Sequence, residues 1–573
     1  MTHALARRVT DSWRLQSLLF LTGVLLVGAL LLLCRLDDTY LWQDEAETAI
    51  VSRHLLAHGL PLSTDGTDWV QQAAESFVEF TDDYVWIYHS WLQYALTAAA
   101  FAVLGPTTFA ARLPFVLVGL ATLCYFYGFV SRWLVDKRVA RVAAVLLLFC
   151  VPFLLLLRQC RYYALAAFFT LVTLDAYLRL ARQQARVRLS DPRATLRQQS
   201  DEQWAVPYFV LSAVLLYHSH YGAFFPTMAA LGVHLLLSRV ERKALQRFLF
   251  AFLLVAVLVL PWASFMRVWN RGQPFQMDRF LAHTAQHFLY ATAWLFPLIL
   301  VPVLLIAYLR RCTERGPARR FNRHGFGLNP TEATFCQVAG LVILVNILFL
   351  SASAAFDWVF SRYLAHLIPL LLTLLAVVVV RIMERWGLAA HALLVVLVVS
   401  NGMHMLPYGL PGLKQLDLGR LRQGSLAFDA LNEAWVKAGR FRSDLWMYAQ
   451  ELTHSYQGPN EGLLAHLAVH GKPGQTVAVN YEDLPLMFYS KLRVLGGLSS
   501  HGLAADLRPD WVIDRKHGPY LDRLAALVAS GSYERVEIPY PDIRWENRPQ
   551  PGEHHYLTVQ DEDNVVLYRR QGD

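Results

Sequence analysis

The sequence predicts a polytopic α-helical membrane protein that ends in a small α/β domain. Of its residues 55% are hydrophobic and only 17% charged, with a mean hydropathy of +0.32, whereas a soluble protein carries about 25% charged residues. Arginines and lysines recur between apolar runs instead of collecting on one domain, the pattern of cytoplasmic loops between spans. Near residue 404 the material changes: long apolar runs stop, and short alternating segments begin. Residues 1–404 are therefore expected to form the transmembrane domain, with 35–111 as its first extracytoplasmic loop, and 405–573 an extracytoplasmic α/β domain.

Arg7, Arg8 and Arg14 precede the apolar run Ser17–Cys34, which is long enough to span a bilayer and keeps the N-terminus in the cytoplasm. Residues 35–88 then hold eleven acidic residues against two basic ones, Arg35 and Arg53, and are placed outside. The run Ser90–Leu104 is short, is broken by Gln93 and is followed by Gly105-Pro106. If it crossed, the basic segment Ser131–Arg141 and every later basic loop would face outward. Laid along the interface, it returns all of them to the inside. Eleven spans follow, at 17–34, 112–130, 140–157, 163–180, 205–220, 222–237, 247–265, 289–308, 335–350, 363–380 and 387–404.

An odd number of spans leaves the tail outside. Helices are expected there at Glu461–His470, Leu484–Ser490 and Tyr520–Ala529. Strands are expected at Thr476–Asn480, Leu492–Leu495, Trp511–Ile513, Tyr533–Ile538 and Val565–Tyr568. The net charge of +8 is spread over loops, so no nucleic-acid partner is implied. The six cysteines show no Cys-x-x-Cys spacing, and none follows Cys336.

Polar groups at the outer ends of spans are the candidates for chemistry, because ionisable groups at membrane depth usually have a partner or a role. Asp44-Glu45, with Glu47, follows the first span. A carboxylate there can take a proton from an acceptor hydroxyl, or Asp44 can simply cap a helix. Arg112 lies in Phe109-Ala110-Ala111-Arg112-Leu113-Pro114, Arg161 in Arg158-Gln159-Cys160-Arg161-Tyr162-Tyr163, and Arg362 in Ser361-Arg362-Tyr363-Leu364. Each arginine either snorkels to headgroups or neutralises a phosphate. Tyr217-His218-Ser219-His220-Tyr221 offers two histidines for a sugar or diphosphate, or forms an aromatic turn. Together these groups could hold an anionic leaving group while a base activates a nucleophile.

In this order, with Trp42-Gln43-Asp44-Glu45 first, Ala164-Leu165 after Tyr163, and His220-Tyr221-Gly222, the motifs resemble the GT-C glycosyltransferases of the protein O-mannosyltransferase and aminoarabinose-transferase type (glycosyltransferase family 39-like), over residues 17–380. The resemblance implies a GT-C fold in the bacterial inner membrane. It implies transfer of a hexosyl or pentosyl group from a polyprenyl-phosphate donor to a hydroxyl of a lipid, glycan or protein acceptor on the outer face. By the same resemblance Asp44, with Glu45, is catalytic, and Arg112, Arg161 and Arg362 bind the donor phosphate. Tyr162, Tyr163, His218, His220 and Tyr363 contact substrate. Tyr163 stands where many relatives carry a second aspartate. A divalent metal would require the first-loop acids to meet His218 and His220. A transporter or flippase of a lipid-linked saccharide would use the same arginines without a base, but the paired broken helices and repeats of transporters are not evident in the sequence.

Overall fold

The computed structural model describes residues 2–72, 78–182, 192–238, 241–271, 274–300, 330–354, 359–384, 386–414, 416–422, 424–504, 506–516, 518–543 and 563–571. The bundle opens with α1 (Thr2–Leu33), followed by α2 (Gln43–His58) and α3 (Leu92–Leu104) in the first loop. Next come α4 (Thr108–Trp133), α5 (Lys137–Leu148), α6 (Val151–Leu157), α7 (Tyr163–Arg182) and α8 (Pro192–Ser219). They are followed by α9 (Tyr221–Leu237), α10 (Arg242–Phe265), α11 (Met277–Trp294) and α12 (Pro330–Ser353). A 3-10 segment, Ser361–Leu367, runs into α13 (Ile368–Met383), ahead of α14 (Gly387–Val399) and α15 (Gly402–Gly409).

Six of the described helical runs are long and apolar enough to cross a membrane: those in α1, α4, α7, α10, α12 and Ser361–Met383. Two bent pairs raise the number to eight if each is one span. The chain is a membrane protein with several apolar helices.

The expected spans 205–220 and 222–237 fall on apolar helices of at most 17 residues, Trp204–Ser219 and Tyr221–Leu237, and three other expected spans are broken or shifted. The run 140–157 is two helices, α5 and α6, bent by 66°. Pro152 sits in the first turn of α6, where its missing N–H is harmless, but it could not continue the helix before it. The run 387–404 breaks by 81° between α14 and α15. There Asn401 leaves the helical path and pairs with the tail: its Nδ2 donates to the Arg440 carbonyl at 2.7 Å, and its Oδ1 accepts the Arg442 N–H at 2.8 Å. The run 289–308 begins earlier, as α11 at Met277, and stops at Trp294, shortly before Pro297 biases the chain away from helix. Residues 301–308 and the basic loop 309–324 lie outside the described residues.

The first loop is built around α2. Gly59 ends that helix at φ 75°, and its N–H closes on the Leu55 carbonyl at 2.9 Å, a left-handed cap that favours glycine. α3 lies against α2 and α4, burying Gln93, Tyr94, Thr97, Ala98 and Phe101 while Val103 and Leu104 stay exposed.

The tail forms a five-stranded sheet in the order β2-β1-β3-β5-β4, from β1 (Thr476–Val479), β2 (Arg493–Gly496), β3 (Trp511–Ile513), β4 (Tyr533–Pro541) and β5 (Asn564–Arg570). β1 pairs in parallel with β2 and β3, whereas β5 runs antiparallel to β3 and β4. The expected helices are present as Pro459–His470, Asp483–Tyr489 and Leu521–Ala529. Val477, Val479, Ile513 and Leu567 belong to the same contiguous apolar core as the bundle. The helix Asp483–Tyr489 packs directly on α2.

Candidate active site

α2 starts at Gln43, so Asp44 and Glu45 fall in its first turn, where the unpaired N–H groups favour negative charge. The cap is Trp42, whose indole N–H donates to Gln159 Oε1. A helix turns about 100° per residue. Asp44 and Glu47 therefore share a face, while Glu45 points elsewhere. Each of the three carboxylates has a different arginine as its nearest cation.

Glu45 is fully buried and binds Arg112 through two bonds, Nε to Oε1 at 2.9 Å and Nη2 to Oε2 at 2.7 Å. Glu45 Oε1 also accepts the Cys160 N–H at 2.8 Å. The remaining Arg112 donors go to the carbonyls of Leu36 at 2.8 Å, Thr39 at 2.9 Å and Tyr40 at 3.1 Å. All of the guanidinium's N–H groups are thus engaged within the protein. Glu47, also fully buried, pairs with Arg161 Nη1 and accepts from the Tyr94 hydroxyl. Burial pushes the Glu47 carboxyl above its ordinary value, against the pull of Arg161. Arg161 is further tied by Nη1 to Thr48 Oγ1 at 2.9 Å and by Nη2 to His89 Nε2 at 2.8 Å.

Asp44 differs from its neighbours. Its side chain is 15% exposed, and its Oδ2 lies 3.3 Å from Arg362 Nη2 and 3.9 Å from Arg161 Nη2. Arg362 is itself buried, with its guanidinium 4.0 Å from the Phe360 ring centre and 5.2 Å from Trp42. Its Nε and Nη1 have no hydrogen-bond partner, and neither does Arg161 Nε nor the Tyr163 hydroxyl. Buried donors left open are costly unless something accepts from them. Among the described residues, then, one partly open carboxylate stands beside a buried guanidinium with spare N–H groups.

Aromatic rings wall this cluster. Tyr162 stacks on His220 with ring centres 4.0 Å apart and planes 4° from parallel, and meets Tyr163 at 4.6 Å. Gly222 makes room for that imidazole, since a Cβ there would come within 2.8 Å of His220 Cε1. Tyr363 packs edge-on against Phe360 at 5.6 Å. His218 is separate: its ring packs edge-on against Trp262 of α10 at 5.4 Å. Among the described residues, then, His218 and His220 do not join the first-loop acids in a group with metal-binding spacing. The described residues bring three metal-binding side chains together only at His54, Asp65 and Asp68.

No family model matches the sequence, and no curated protein does either. Solved structures do. The crystal structure of ArnT from Cupriavidus metallidurans bound to undecaprenyl phosphate superposes with a TM-score of 0.53 at 17% identity, covering 96% of this chain and 98% of that one. The fold is GT-C. The apo state of the same ArnT gives 0.52 at 17% identity, covering 98% of each chain. The archaeal oligosaccharyltransferase AglB from Archaeoglobus fulgidus, in complex with an inhibitory peptide and a dolichol-phosphate, gives 0.44 at 11% identity, covering 94% of this chain and 75% of that one.

Within this GT-C chain, His89 stands beside the cluster with no local sequence signal, and Asp483 joins it from the tail, where Glu482-Asp483 after a strand reads as a helix cap or a sugar contact. His89 accepts from Arg161 through Nε2, which places its hydrogen on Nδ1, and Nδ1 is buried without a partner. Burial and the neighbouring Arg161 hold the ring well below the ordinary imidazole range, so it is neutral. Asp483, on the tail, accepts from Gln43 Nε2 at 2.7 Å, one residue from Asp44.

Burial pushes the Asp483 carboxyl up to about 6, whereas in the unfolded chain it titrates near its ordinary value of about 3.9. The protonated form therefore favours the fold. That contribution is complete below about pH 4 and is lost as pH rises through 6. Asp483→Asn, neutral at every pH and still able to accept from Gln43, is expected to stabilise the protein near pH 7 by about 3 kcal/mol. Thermal melts across pH check this: the gap between variant and wild type should close toward pH 4, and a gap independent of pH would contradict it.

Proposed function

We propose that this chain is a membrane glycosyltransferase. It transfers a sugar from a polyprenyl-phosphate-linked donor to an acceptor hydroxyl on a lipid, glycan or protein, at the outer face of the bacterial inner membrane. The observation that carries this is the pairing of Asp44, the one member of its carboxylate trio that reaches solvent, with Arg362, whose Nε and Nη1 are buried and unsatisfied. The structural likeness to a protein crystallised with undecaprenyl phosphate supports the donor class.

The reaction is a single displacement with inversion. The acceptor oxygen attacks the anomeric carbon while its proton passes to the Asp44 carboxylate. The bond from that carbon to the phosphate oxygen breaks, and the electron pair leaves on the polyprenyl phosphate. Arg362 meets the growing charge through its free N–H groups, and Arg161 adds a fixed positive charge set by Glu47 and His89. Tyr163 and Tyr363 border the donor sugar, and the stacked Tyr162–His220 pair walls it.

In this scheme Glu45 and Arg112 move from chemistry to scaffolding. A guanidinium with every N–H engaged has none to give a phosphate, and a carboxylate bound by a bidentate arginine and a backbone N–H is not a free base. His218, packed against Trp262, is left out of the substrate contacts.

Purified full-length protein in detergent, given a radiolabelled polyprenyl-phosphate sugar and candidate acceptors, should consume the donor and release polyprenyl phosphate. Translocation of the donor in vesicles without turnover would instead establish a flippase. Arg362→Lys keeps the charge but loses the planar fork of donors, and kcat/KM is expected to fall about 100-fold. Unchanged kcat/KM would remove Arg362 from the phosphate site.

A further inference from the structure

We propose a second site on the first loop: a zinc-class divalent cation held by His54, Asp65 and Asp68. It is distinct from the Asp44 cluster and independent of the transfer reaction.

The histidine is built as a ligand. His54 lies in the last turns of α2, 1% exposed, and its Nδ1 lies 2.8 Å from the Leu62 carbonyl. That bond puts the hydrogen on Nδ1 and leaves a lone pair on Nε2. Nε2 is buried and has no hydrogen-bond partner. It faces Asp65 Oδ2 at 3.6 Å, too far for a hydrogen bond. A tetrahedral zinc with bonds of about 2.1 Å sets its ligands roughly 3.4 Å apart. The separation of the two groups therefore suits a shared cation better than a direct contact.

The carboxylates are also fixed. Asp65 Oδ1 accepts the N–H groups of Thr67 at 2.9 Å and Asp68 at 3.0 Å, which leaves Oδ2 turned to His54. One ligand atom from each of the three residues lies within 4.8 Å of the other two. Arg53 pairs with Asp68 Oδ2, as outer partners of metal-bound carboxylates do. One imidazole nitrogen with two carboxylates suits zinc. Calcium and magnesium prefer six or more oxygens. Asp65 and Asp68 are 30% and 14% exposed, so a water can fill the fourth position.

The cation would clip the end of α2 to residues 62–68. The neighbouring Trp69 stacks on His501 of the tail, ring centres 4.1 Å apart and planes 4° from parallel. The site thus stiffens the part of the loop on which the C-terminal domain rests.

Full-length protein in detergent, stripped with chelator and dialysed, would be titrated with zinc chloride by calorimetry, with bound metal counted by mass spectrometry. One zinc per chain is expected, with a thermal midpoint that rises with zinc concentration. His54→Gln and Asp65→Asn should each weaken binding by roughly 100-fold or more. Asp65 is part-exposed, so its variant gives a readout even if the buried histidine change impairs folding. No saturable zinc binding by wild type, unchanged binding in Asp65→Asn, or tighter binding of magnesium or calcium than of zinc would each overturn the proposal.

Discussion

Asp44→Asn is expected to lower sugar transfer by about 1,000-fold, within the range of roughly 100- to 10,000-fold that a positioned base supplies. The substitution keeps shape and burial but removes the proton acceptor. It also takes away the anion that stands 3.3 Å from Arg362 and competes with a phosphate for that guanidinium. Donor affinity should therefore hold or tighten while kcat collapses. This divergence is the test, because a merely misfolded variant would lose both. Steady-state kinetics on detergent-purified protein, with a melt to establish folding, measure it. Wild-type turnover in the variant would exclude Asp44 as the base.

The neighbouring residue should behave in the opposite way. Glu45→Ala leaves Arg112 buried and charged with no counter-ion, and breaking such a pair costs about 3–5 kcal/mol. It also strands the Cys160 N–H. Arg112→Met is expected to be worse, since the carbonyls of Leu36, Thr39 and Tyr40 lose their donor along with Glu45. Yield and thermal midpoint in detergent are the measurements. The midpoint should fall further for both variants than for Asp44→Asn, whose part-exposed amide oxygen can still accept from Arg362. If Glu45→Ala were fully stable yet inactive, the scaffold role would be wrong and Glu45 would return to the chemistry.

The contrast explains what could be read in advance. Residue type and order singled out Asp44, Arg161 and Arg362, and these do converge in space. Their division of labour was hidden, because it depends on which way each carboxylate points around α2. The sequence treats Asp44 and Glu45 as a pair, whereas a helix separates adjacent side chains by about 100°. His89 was missed because it arrives from a distant segment and belongs to no local pattern, and Glu482-Asp483, which reads locally as a helix cap or a sugar contact, gave no sign of the bond from Asp483 to Gln43. The tail's helices and strands were legible from their alternation. The bends near Pro152 and Asn401 were less so, since apolar content carries straight through them. Pro152 was a usable signal. Asn401 acts only through its bonds to the backbone of Arg440 and Arg442, which no local pattern foretells.

The carboxylate trio of α2 also bears on how the protein is made. Asp44, Glu45 and Glu47 are synthesised early, but their partners Arg112, Arg161 and Arg362 come from successively later segments. At ordinary elongation rates Arg362 follows Asp44 by on the order of tens of seconds. The scaffolding pairs can close while the ribosome is still working, and the pair assigned to the chemistry closes last. A nascent or truncated chain that stops before the 3-10 segment Ser361–Leu367 would thus hold the Arg112 and Arg161 pairs without Arg362, and without the tail helix Asp483–Tyr489 that packs on α2.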